Sequence, residues 1–227
     1  MKIKELLLDI LFPRSCVECG RKGDYICDKC SIFISECDVG ANPCVRTLDG
    51  LTSVWDYEGV IKKLIWEIKY NGLRDGIKEL VERIDFKDEF ISSFKYITYV
   101  PMYRKREKYR GFNQSEIIAK ELAKKYSAQG GLKVVCLLKK IKDTEDQVNL
   151  NKEERVRNVR GSFRFVGVGA TLVVARINKG NHKGLPLRNI LLVDDVYTTG
   201  ATMRECCKVL KKSGIKNIWG FTLAKTP

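Results

Sequence analysis

The strongest constraint on the fold lies near the end of the chain, where an apolar strand is followed directly by two acids. Residues 190–193 form a continuous apolar run, which is typical of a strand buried on both faces of a parallel sheet. Asp194 and Asp195 come next, then a turn of small residues, then a helix with inward-facing apolar positions. This order predicts an α/β fold, with a parallel sheet flanked by helices and a ligand site at its carboxyl edge.

The same stretch contains the parts of a phosphate-binding site. Backbone N–H groups at a turn and a helix N-terminus attract an anion, and adjacent acids accept hydrogen bonds from vicinal ribose hydroxyls. A P-loop is excluded because G-x-x-x-x-G-K-[ST] is absent here. The alternative interpretation is an acid pair at an ordinary helix N-cap with a tight turn. It does not account for the buried strand before the acids and the helix after the turn. The predicted phosphate-binding residues are Thr198, Thr199, Gly200, Ala201 and Thr202.

The remaining periodicity fits the same alternation of strands and helices. Asn113 is predicted to cap a helix, with Glu116 in the capping-box position. The basic segment 103–112 is predicted to be a loop at the ligand edge. The polar segment 139–159 is predicted to be a long loop, either a functional lid or a plain excursion. Strands are predicted at 51–57, 96–102, 132–138, 161–166 and 215–223, and helices at 60–68 and 76–84.

Two C-x₂-C pairs near the N-terminus predict a structural zinc site. Each pair forms a tight turn that presents two thiolates, and two such turns supply a tetrahedral set. Zinc is favoured over a redox dithiol, because a chain without a secretion signal belongs in the reducing cytoplasm. Cys37 and Cys44 are single cysteines, so a second metal site is incomplete, and Cys136 is predicted to lie in the core. The predicted zinc ligands are Cys16, Cys19, Cys27 and Cys30.

The charge balance indicates an anionic partner. The 227 residues include 42 Lys and Arg against 28 Asp and Glu, a net charge of +14. Such an excess suits phosphate, nucleotide, nucleic acid or an acidic membrane surface, although a solvated basic surface is the simpler alternative. No apolar run approaches the ~18–20 residues of a membrane span. Residues 1–12 are predicted to form an amphipathic helix rather than a signal peptide.

Several motifs together resemble a known family. Residues 191–202 resemble the phosphoribosyl pyrophosphate signature of phosphoribosyltransferases. More narrowly, nearly the whole chain resembles the ComF family of competence-related proteins, in which that signature follows an N-terminal zinc module. Further matching positions are 55–59, 68–70, 100–101 and 110–114, with Thr144, Gln147, Arg155, Asn158, Gly161 and Phe163.

The chain departs from that family's pattern at three places. Single cysteines, Cys37 and Cys44, stand where many relatives have a second set of paired cysteines. Lys140 and Lys142 stand where arginine is common. The link at 167–188, which contains the only histidine, His182, is longer than usual.

The resemblance implies a type I phosphoribosyltransferase fold with a small zinc-ribbon module in front. The module covers residues 1–48, with the amphipathic helix at its start, and the phosphoribosyltransferase domain covers 49–227. Within that domain, 139–159 is the lid loop and 167–188 an atypical insertion.

The resemblance also implies an activity and roles for the site residues. The chain is expected to bind phosphoribosyl pyrophosphate with magnesium and to transfer phosphoribose to an unidentified acceptor, as a cytoplasmic enzyme. Asp194 and Asp195 would bind the ribose hydroxyls, and residues 198–202 the ribose phosphate. The catalytic Arg110 and the substrate-binding Lys105 and Arg106 would face the pyrophosphate.

A second hypothesis is a non-catalytic competence factor that keeps the phosphoribosyl pyrophosphate pocket but binds single-stranded DNA or DNA-uptake proteins. Tyr103, Tyr109 and Phe112 alternate with basic residues, as an aromatic-lined groove for single strands requires. Packing of these aromatics beneath the basic segment is an equally good interpretation. A structural adaptor is a third hypothesis, supported only by the zinc module. The sequence does not specify the oligomeric state.

Overall fold

Five parallel strands form the central sheet. In the computed structural model, the residues described are 13–37, 48–129, 131–144, 151–166 and 190–227. The sheet has the order β1-β7-β6-β2-β3, and a separate antiparallel pair, β4 and β5, lies outside it. The strands are β1 Gly50–Asp56, β2 Tyr96–Tyr99, β3 Lys133–Val134, β4 Leu138–Lys140, β5 Phe163–Phe165, β6 Ile190–Tyr197 and β7 Ile218–Lys225. The predicted α/β class with a parallel sheet is confirmed.

Helices cover both faces of this sheet. They are α1 Asp28–Ser31, α2 Gly59–Tyr70, α3 Asp75–Glu82, α4 Asp88–Ser92, α5 Arg104–Arg110, α6 Gln114–Lys125, α7 Lys152–Val159 and α8 Ala201–Lys212, with a 3₁₀ turn at Ser127–Gln129. Leu191 and Val193 of β6 face one core, with α2, α3 and α6. Ile190 and Leu192 face the other, with α8 and the β4–β5 pair. All four side chains are fully buried, as the apolar run predicts for a strand covered on both sides.

The long apolar patterns are confirmed, with shifted ends. Helix α2 buries the predicted stripe, and Asn113 caps α6 by accepting a hydrogen bond from the Ser115 amide. The predicted capping box is wrong, because Glu116 pairs with Lys120 instead. The single predicted strand 132–138 is two short strands, β3 and β4. Cys136, expected in the core, is exposed in the connection between them.

The basic segment 103–112 is not a loop. Residues 104–110 form α5, which ends where Gly111 adopts the left-handed conformation with φ 80°. Arg, Lys and Glu are good helix formers, so the local preference is helical. The helix has no buried residue. No apolar stripe was therefore present for a periodicity argument to detect.

The description of 139–159 as a loop is wrong at both ends. Its start belongs to β4, and its end is α7, which begins with a complete capping box between Asn151 and Glu154. Val159 is the one buried side chain among those described in α7, which again leaves no apolar period. The lid function stays a prediction.

Other predictions fall on residues that are not described. These are the helix at 1–12, Cys44, Gln147, and the insertion at 167–188 with His182. The division into modules at 48 and 49 also stays a prediction.

The cysteine-containing segment packs directly against the helices of the main sheet. Cys16, Ile26 and Cys27 belong to the same core as α2 and α3. The Glu79 carboxylate of α3 accepts hydrogen bonds from the backbone amides of Tyr25 and Ile26, both at 2.8 Å. Arg83 completes the contact by donating to the Ile26 carbonyl at 2.6 Å and to Glu79 at 3.2 Å. A single carboxylate thus ties the cysteine turns to the α/β domain.

We predict that Glu79→Ala lowers the free energy of unfolding by about 2–6 kcal/mol, because two backbone amides, one part-buried and one buried, lose their acceptor at about 1–3 kcal/mol each. Glu82→Ala is the matched control, since Glu82 lies on the same helix with its side chain 64% exposed. Urea unfolding followed by circular dichroism measures both variants. Equal losses in the two would contradict the role given to Glu79.

Candidate functional site

The site lies where the chain leaves the sheet in opposite directions. From β2 the chain continues through α6 to β3 on one side, and from β6 through α8 to β7 on the other. The two helices pack on opposite faces of the sheet. Such a switch point opens a crevice at the carboxyl ends of the two strands, where ligands bind in open α/β sheets.

Asp194 lies at this crevice and is held across it. Its Oδ1 accepts hydrogen bonds from the Ser115 hydroxyl of α6 and from the Asp195 amide, both at 2.9 Å. Burial, followed by the charge of Asp195, raises the pKa of Asp194 to about 7, although these two hydrogen bonds and Lys69 act in the opposite direction. This carboxyl group therefore titrates near neutral pH.

Asp195 forms an ion pair with a lysine that was not predicted as a site residue. The Lys69 Nζ of α2 lies 3.0 Å from Asp195 Oδ2, and both side chains are largely buried. Burial acts to lower the pKa of Lys69, but Asp195 and its neighbours outweigh it and the pKa is raised. Lys69 is therefore protonated at neutral pH. It follows directly on the apolar stripe of α2 and lies in the segment 68–70 that matches the resembled family, and these are its two sequence signals.

The acid pair keeps one free acceptor on each residue. Within the described part of the chain, Asp194 Oδ2 and Asp195 Oδ1 have no hydrogen-bond or ion-pair partner, while the other oxygen of each carboxylate is engaged. Two neighbouring acceptors of this kind can receive two hydroxyl protons.

The turn after β6 has the geometry predicted for an anion cradle. Gly200 has φ 69°, and a Cβ there would lie 2.2 Å from Tyr197 Oη, so only glycine fits. The Thr199 hydroxyl accepts a hydrogen bond from the Ala201 amide at 3.4 Å. The amides of Thr198, Thr199 and Gly200 donate to no group among the residues described. These N–H groups stand at the start of α8, whose dipole favours an anion.

The three predicted basic residues are in different situations. Arg106 donates to Asp143 Oδ1 at 3.0 Å and also to the Thr144 carbonyl, which ties α5 to the segment after β4. The Arg110 guanidinium lies 5.6 Å from the centre of the Tyr70 ring. Lys105 is exposed. Only Asp194, Asp195 and the turn at 198–202 are thus brought together as expected.

Lys140 is a second functional candidate that sequence reasoning missed. Its Nζ lies over the Phe163 ring, 5.7 Å from the centre, and has no hydrogen bond or ion pair within the described ranges. Burial and then the charge of Arg106 lower its pKa, partly offset by Cys206 and Asp194. An unpaired, partly buried cation near the acid pair is suited to an anionic ligand. The only sequence signal for Lys140 as a site residue was that it stands where arginine is common in the resembled family.

The four predicted zinc ligands converge. The Sγ atoms of Cys16, Cys19, Cys27 and Cys30 all lie within 4.8 Å of one another, and Cys19 and Cys27 are 3.6 Å apart. Zn–S bonds of about 2.3 Å in a tetrahedron place the sulfurs about 3.8 Å apart. The four cysteines therefore fit a structural zinc ion.

Cys37 does not join this cluster. Its Sγ donates to Asp56 Oδ1 at 3.4 Å, and burial raises its pKa to about 11. Cys37 is thus a neutral thiol against the end of β1.

In the part of the chain that the structure describes, no helix has the length and apolar composition needed to cross a bilayer.

The chain is similar to proteins with competence and DNA-utilization names. It is 32% identical over 127 residues to "Competence protein F" of Haemophilus influenzae, a match covering 55% of this chain and 48% of that protein. It is 24% identical over 227 residues to "Competence protein ComFC" of Bacillus subtilis, covering 93% and 78%. These names agree with the ComF resemblance of the motifs described above.

A third relative is similar to this chain along nearly the whole sequence. "DNA utilization protein YhgH" of Escherichia coli K12 is 24% identical over 226 residues, covering 93% of this chain and 88% of that protein. The match to Competence protein F spans less than half of that relative's length. No family model matches the chain.

The cluster of four cysteines predicts one zinc ion per chain. Cys27→Ser removes a buried ligand. We expect it to abolish stoichiometric zinc and to lower thermal stability, because metal binding contributes folding free energy. Cys136→Ser, an exposed cysteine outside the cluster, is the control and should keep its zinc. Elemental analysis of the purified proteins gives the stoichiometry, and full zinc content in Cys27→Ser would exclude the site.

The raised pKa of Asp194 predicts a pH-dependent stability. Between its ordinary value of 3.8 and about 7, the folded state binds more protons than the unfolded state. The free energy of unfolding therefore falls as pH rises through this window. Asp194→Asn removes this titrating group. We therefore expect the variant to lose less unfolding free energy than the wild type between pH 4 and pH 8, by about 1.4 kcal/mol or more, the equivalent of one pKa unit.

Denaturant unfolding across this pH range measures the effect. Asp75→Asn, which removes an exposed carboxylate at the start of α3, is the control and should keep the wild-type slope. An unchanged slope in Asp194→Asn would contradict the raised pKa.

Proposed function

We propose that this protein binds phosphoribosyl pyrophosphate, carried with magnesium, and transfers its phosphoribosyl group to an acceptor. The observation that carries the proposal is the pairing of two free carboxylate oxygens with a turn of partner-free amides at one switch-point crevice. The free oxygens of Asp194 and Asp195 suit the two vicinal ribose hydroxyls. The amides of 198–200 and the start of α8 suit the 5-phosphate.

The charges around the crevice support the same ligand. Phosphoribosyl pyrophosphate is strongly anionic, and Lys140 is a partly buried cation without an anionic partner in the described chain. Lys105 and Arg106 add positive charge on α5, as the sequence suggested for the pyrophosphate side. Lys69 stays paired with Asp195.

The chemistry is a displacement at the anomeric carbon. The acceptor forms a bond to C1 of the ribose as the C1–O bond breaks, and pyrophosphate leaves with the bonding electron pair. Magnesium belongs to the substrate and offsets charge on the departing oxygens. The protein's own contribution is to orient the sugar through the acid pair and to hold cations where negative charge develops. Residues 139–159, as a lid, would exclude water.

The context we propose is DNA uptake in the cytoplasm. The relatives carry the names competence protein and DNA utilization protein, and a dense cluster of reduced cysteines suits a reducing compartment.

A second candidate function is single-stranded DNA binding or regulation that does not require catalysis. It is favoured by α5, whose side chains are not buried and whose Tyr109 ring is 95% exposed among basic neighbours. Basic side chains with an exposed aromatic ring suit a single strand. Substitution of the acid pair separates the two functions, because the second does not depend on Asp194 or Asp195.

We predict that calorimetric titration with phosphoribosyl pyrophosphate and Mg²⁺ shows binding to the wild type. In Asp194→Asn with Asp195→Asn the affinity should fall about a hundredfold or more, because two hydrogen bonds to charged groups are lost at about 1.5–3 kcal/mol each. Asp75→Asn with Asp88→Asn changes the net charge equally at exposed positions and should bind normally.

The same proteins separate the two functions. Absence of phosphoribosyl pyrophosphate binding to the folded, zinc-loaded wild type would refute the proposal. Salt-dependent binding of an oligonucleotide that survives the acid-pair substitution would then make DNA binding the leading function.

A further inference from the structure

The acid pair is held from two helices at once. The Lys69 ammonium of α2 lies 3.0 Å from Asp195 Oδ2, and the Ser115 hydroxyl of α6 donates to Asp194 Oδ1 at 2.9 Å. Because the two acids are neighbours at the end of one strand, both contacts form only when the two helices keep a fixed relative position. A residue that joins these helices would therefore control how the acid pair is oriented.

Arg74 joins them. It ends the segment 71–74 between α2 and α3. This segment folds back on the last turn of α2, because the amides of Asn71 and Leu73 donate to the Glu67 carbonyl at 2.9 and 3.4 Å. From there the Arg74 guanidinium reaches residues 111–115, which connect α5 to α6 and which we call the α6 entry turn.

In the described part of the chain, the contacts of the Arg74 guanidinium are with this turn. Its Nη2 donates to the Gly111 carbonyl at 2.8 Å, and its Cζ lies 4.6 Å from the centre of the Phe112 ring. Gly111 has φ 80°, and a Cβ there would lie 2.8 Å from the same Nη2 and displace it. Arg74 has no carboxylate partner among the residues described. Its side chain therefore acts through shape and hydrogen bonding rather than through an ion pair.

The α6 entry turn connects this contact to the acid pair. Residues 112–115 are buried. The Asn113 side chain accepts a hydrogen bond from the Ser115 amide and donates one to the Val100 carbonyl, both at 3.1 Å. A close-packed segment with its polar groups engaged has little freedom to absorb a displacement. The position of the Ser115 hydroxyl thus depends on how the start of the turn is held.

We propose that Arg74 is a positioning residue for the acid pair. It fixes the α6 entry turn, and the turn keeps the Ser115 hydroxyl on Asp194 while α2 keeps Lys69 on Asp195. This inference rests on the proposed phosphoribosyl site and adds to it a residue that acts through Ser115.

A double-mutant cycle tests this route. Calorimetry measures the affinity for phosphoribosyl pyrophosphate with Mg²⁺ in Arg74→Ala, Ser115→Ala and the double variant. We expect each single substitution to weaken binding about threefold to tenfold, the scale of one hydrogen bond. The double variant should bind within about twofold of Ser115→Ala, because both substitutions remove the same contact to Asp194. Losses that multiply in the double variant would overturn the inference, since independent effects add in free energy.

Two further variants separate geometry from charge. Lys78→Ala removes a cation from α3 at a side chain that is 56% exposed, and it should bind as the wild type does. Arg74→Lys keeps a donor for the Gly111 carbonyl and should recover part of the affinity that Arg74→Ala loses. An equal loss in Lys78→Ala and Arg74→Ala would show that general positive charge is responsible, and it would refute the positioning role.

A second readout needs no ligand. The titration of Asp194 is followed by carboxyl ¹³C NMR, with its signal assigned from Asp194→Asn. The hydrogen bond from Ser115 favours the ionised carboxylate, so its loss raises the pKa of Asp194. We expect the midpoint to rise in Arg74→Ala and in Ser115→Ala, and to rise no further in the double variant. The variants leave in place the other titratable groups that act on Asp194 or are acted on by it: Asp195, Lys69, Lys140 and Cys206.

The outcomes distinguish this inference from the proposed function. If the wild type does not bind phosphoribosyl pyrophosphate, the proposed function fails, and the Asp194 titration still decides the role of Arg74. If the wild type binds it, and Arg74→Ala keeps both the wild-type affinity and the wild-type midpoint, the role of Arg74 is refuted and the sugar site stands.

Discussion

The arrangement of the site depends on two adjacent carboxylates at the end of a strand that is buried on both faces. Such a strand has no freedom to turn its last residues toward solvent, so both carboxylates are partly desolvated and close to each other. The structure offsets this repulsion asymmetrically. Asp195 has the Lys69 ammonium at 3.0 Å, whereas Asp194 has a hydroxyl and an amide and keeps a pKa near 7. Two identical side chains at adjacent positions therefore have different partners.

The same ion pair links separate parts of the chain. Lys69 is near the C-terminal end of α2, and Lys63 of the same helix is paired with Glu18 beside the cysteine turns at 2.7 Å. Helix α3 contacts those turns through Glu79. The metal-binding turns, the two helices and the acid pair are thus connected by short-range contacts, and one core runs beneath them. The position of Lys69 depends on how α2 is held at both places.

The sequence predicted the parts of the molecule that bury apolar surface. The apolar run at 190–193 predicted a strand buried on both faces, and the apolar stripe of α2 predicted an amphipathic helix. The acid pair, the turn at 198–202 and the four cysteines could be found because their chemistry is carried by neighbours in sequence. Helices α5 and α7 could not, since a helix without a buried stripe leaves no periodic signal.

Lys69 and Lys140 were missed for a different reason. Their roles depend on tertiary contacts: the fold places the Lys69 Nζ beside a carboxylate and leaves the Lys140 Nζ without an acidic partner in the described chain. The residues around each lysine in sequence do not specify these contacts. Arg106 shows the converse. It stands in a strongly basic segment, yet its guanidinium is bound to Asp143 and the Thr144 carbonyl.

The contact between Glu79 and the cysteine turns bears on modularity. A chain that began at residue 49 would retain the Glu79 carboxylate but lose both amides that it accepts from, and it would uncover the faces of α2 and α3 that now pack against Ile26. The Glu79 carboxylate and the apolar faces of α2 and α3 would then both be exposed to water. The two segments are therefore not interchangeable units: the α/β part has been shaped to fold with its cysteine-bearing neighbour in place.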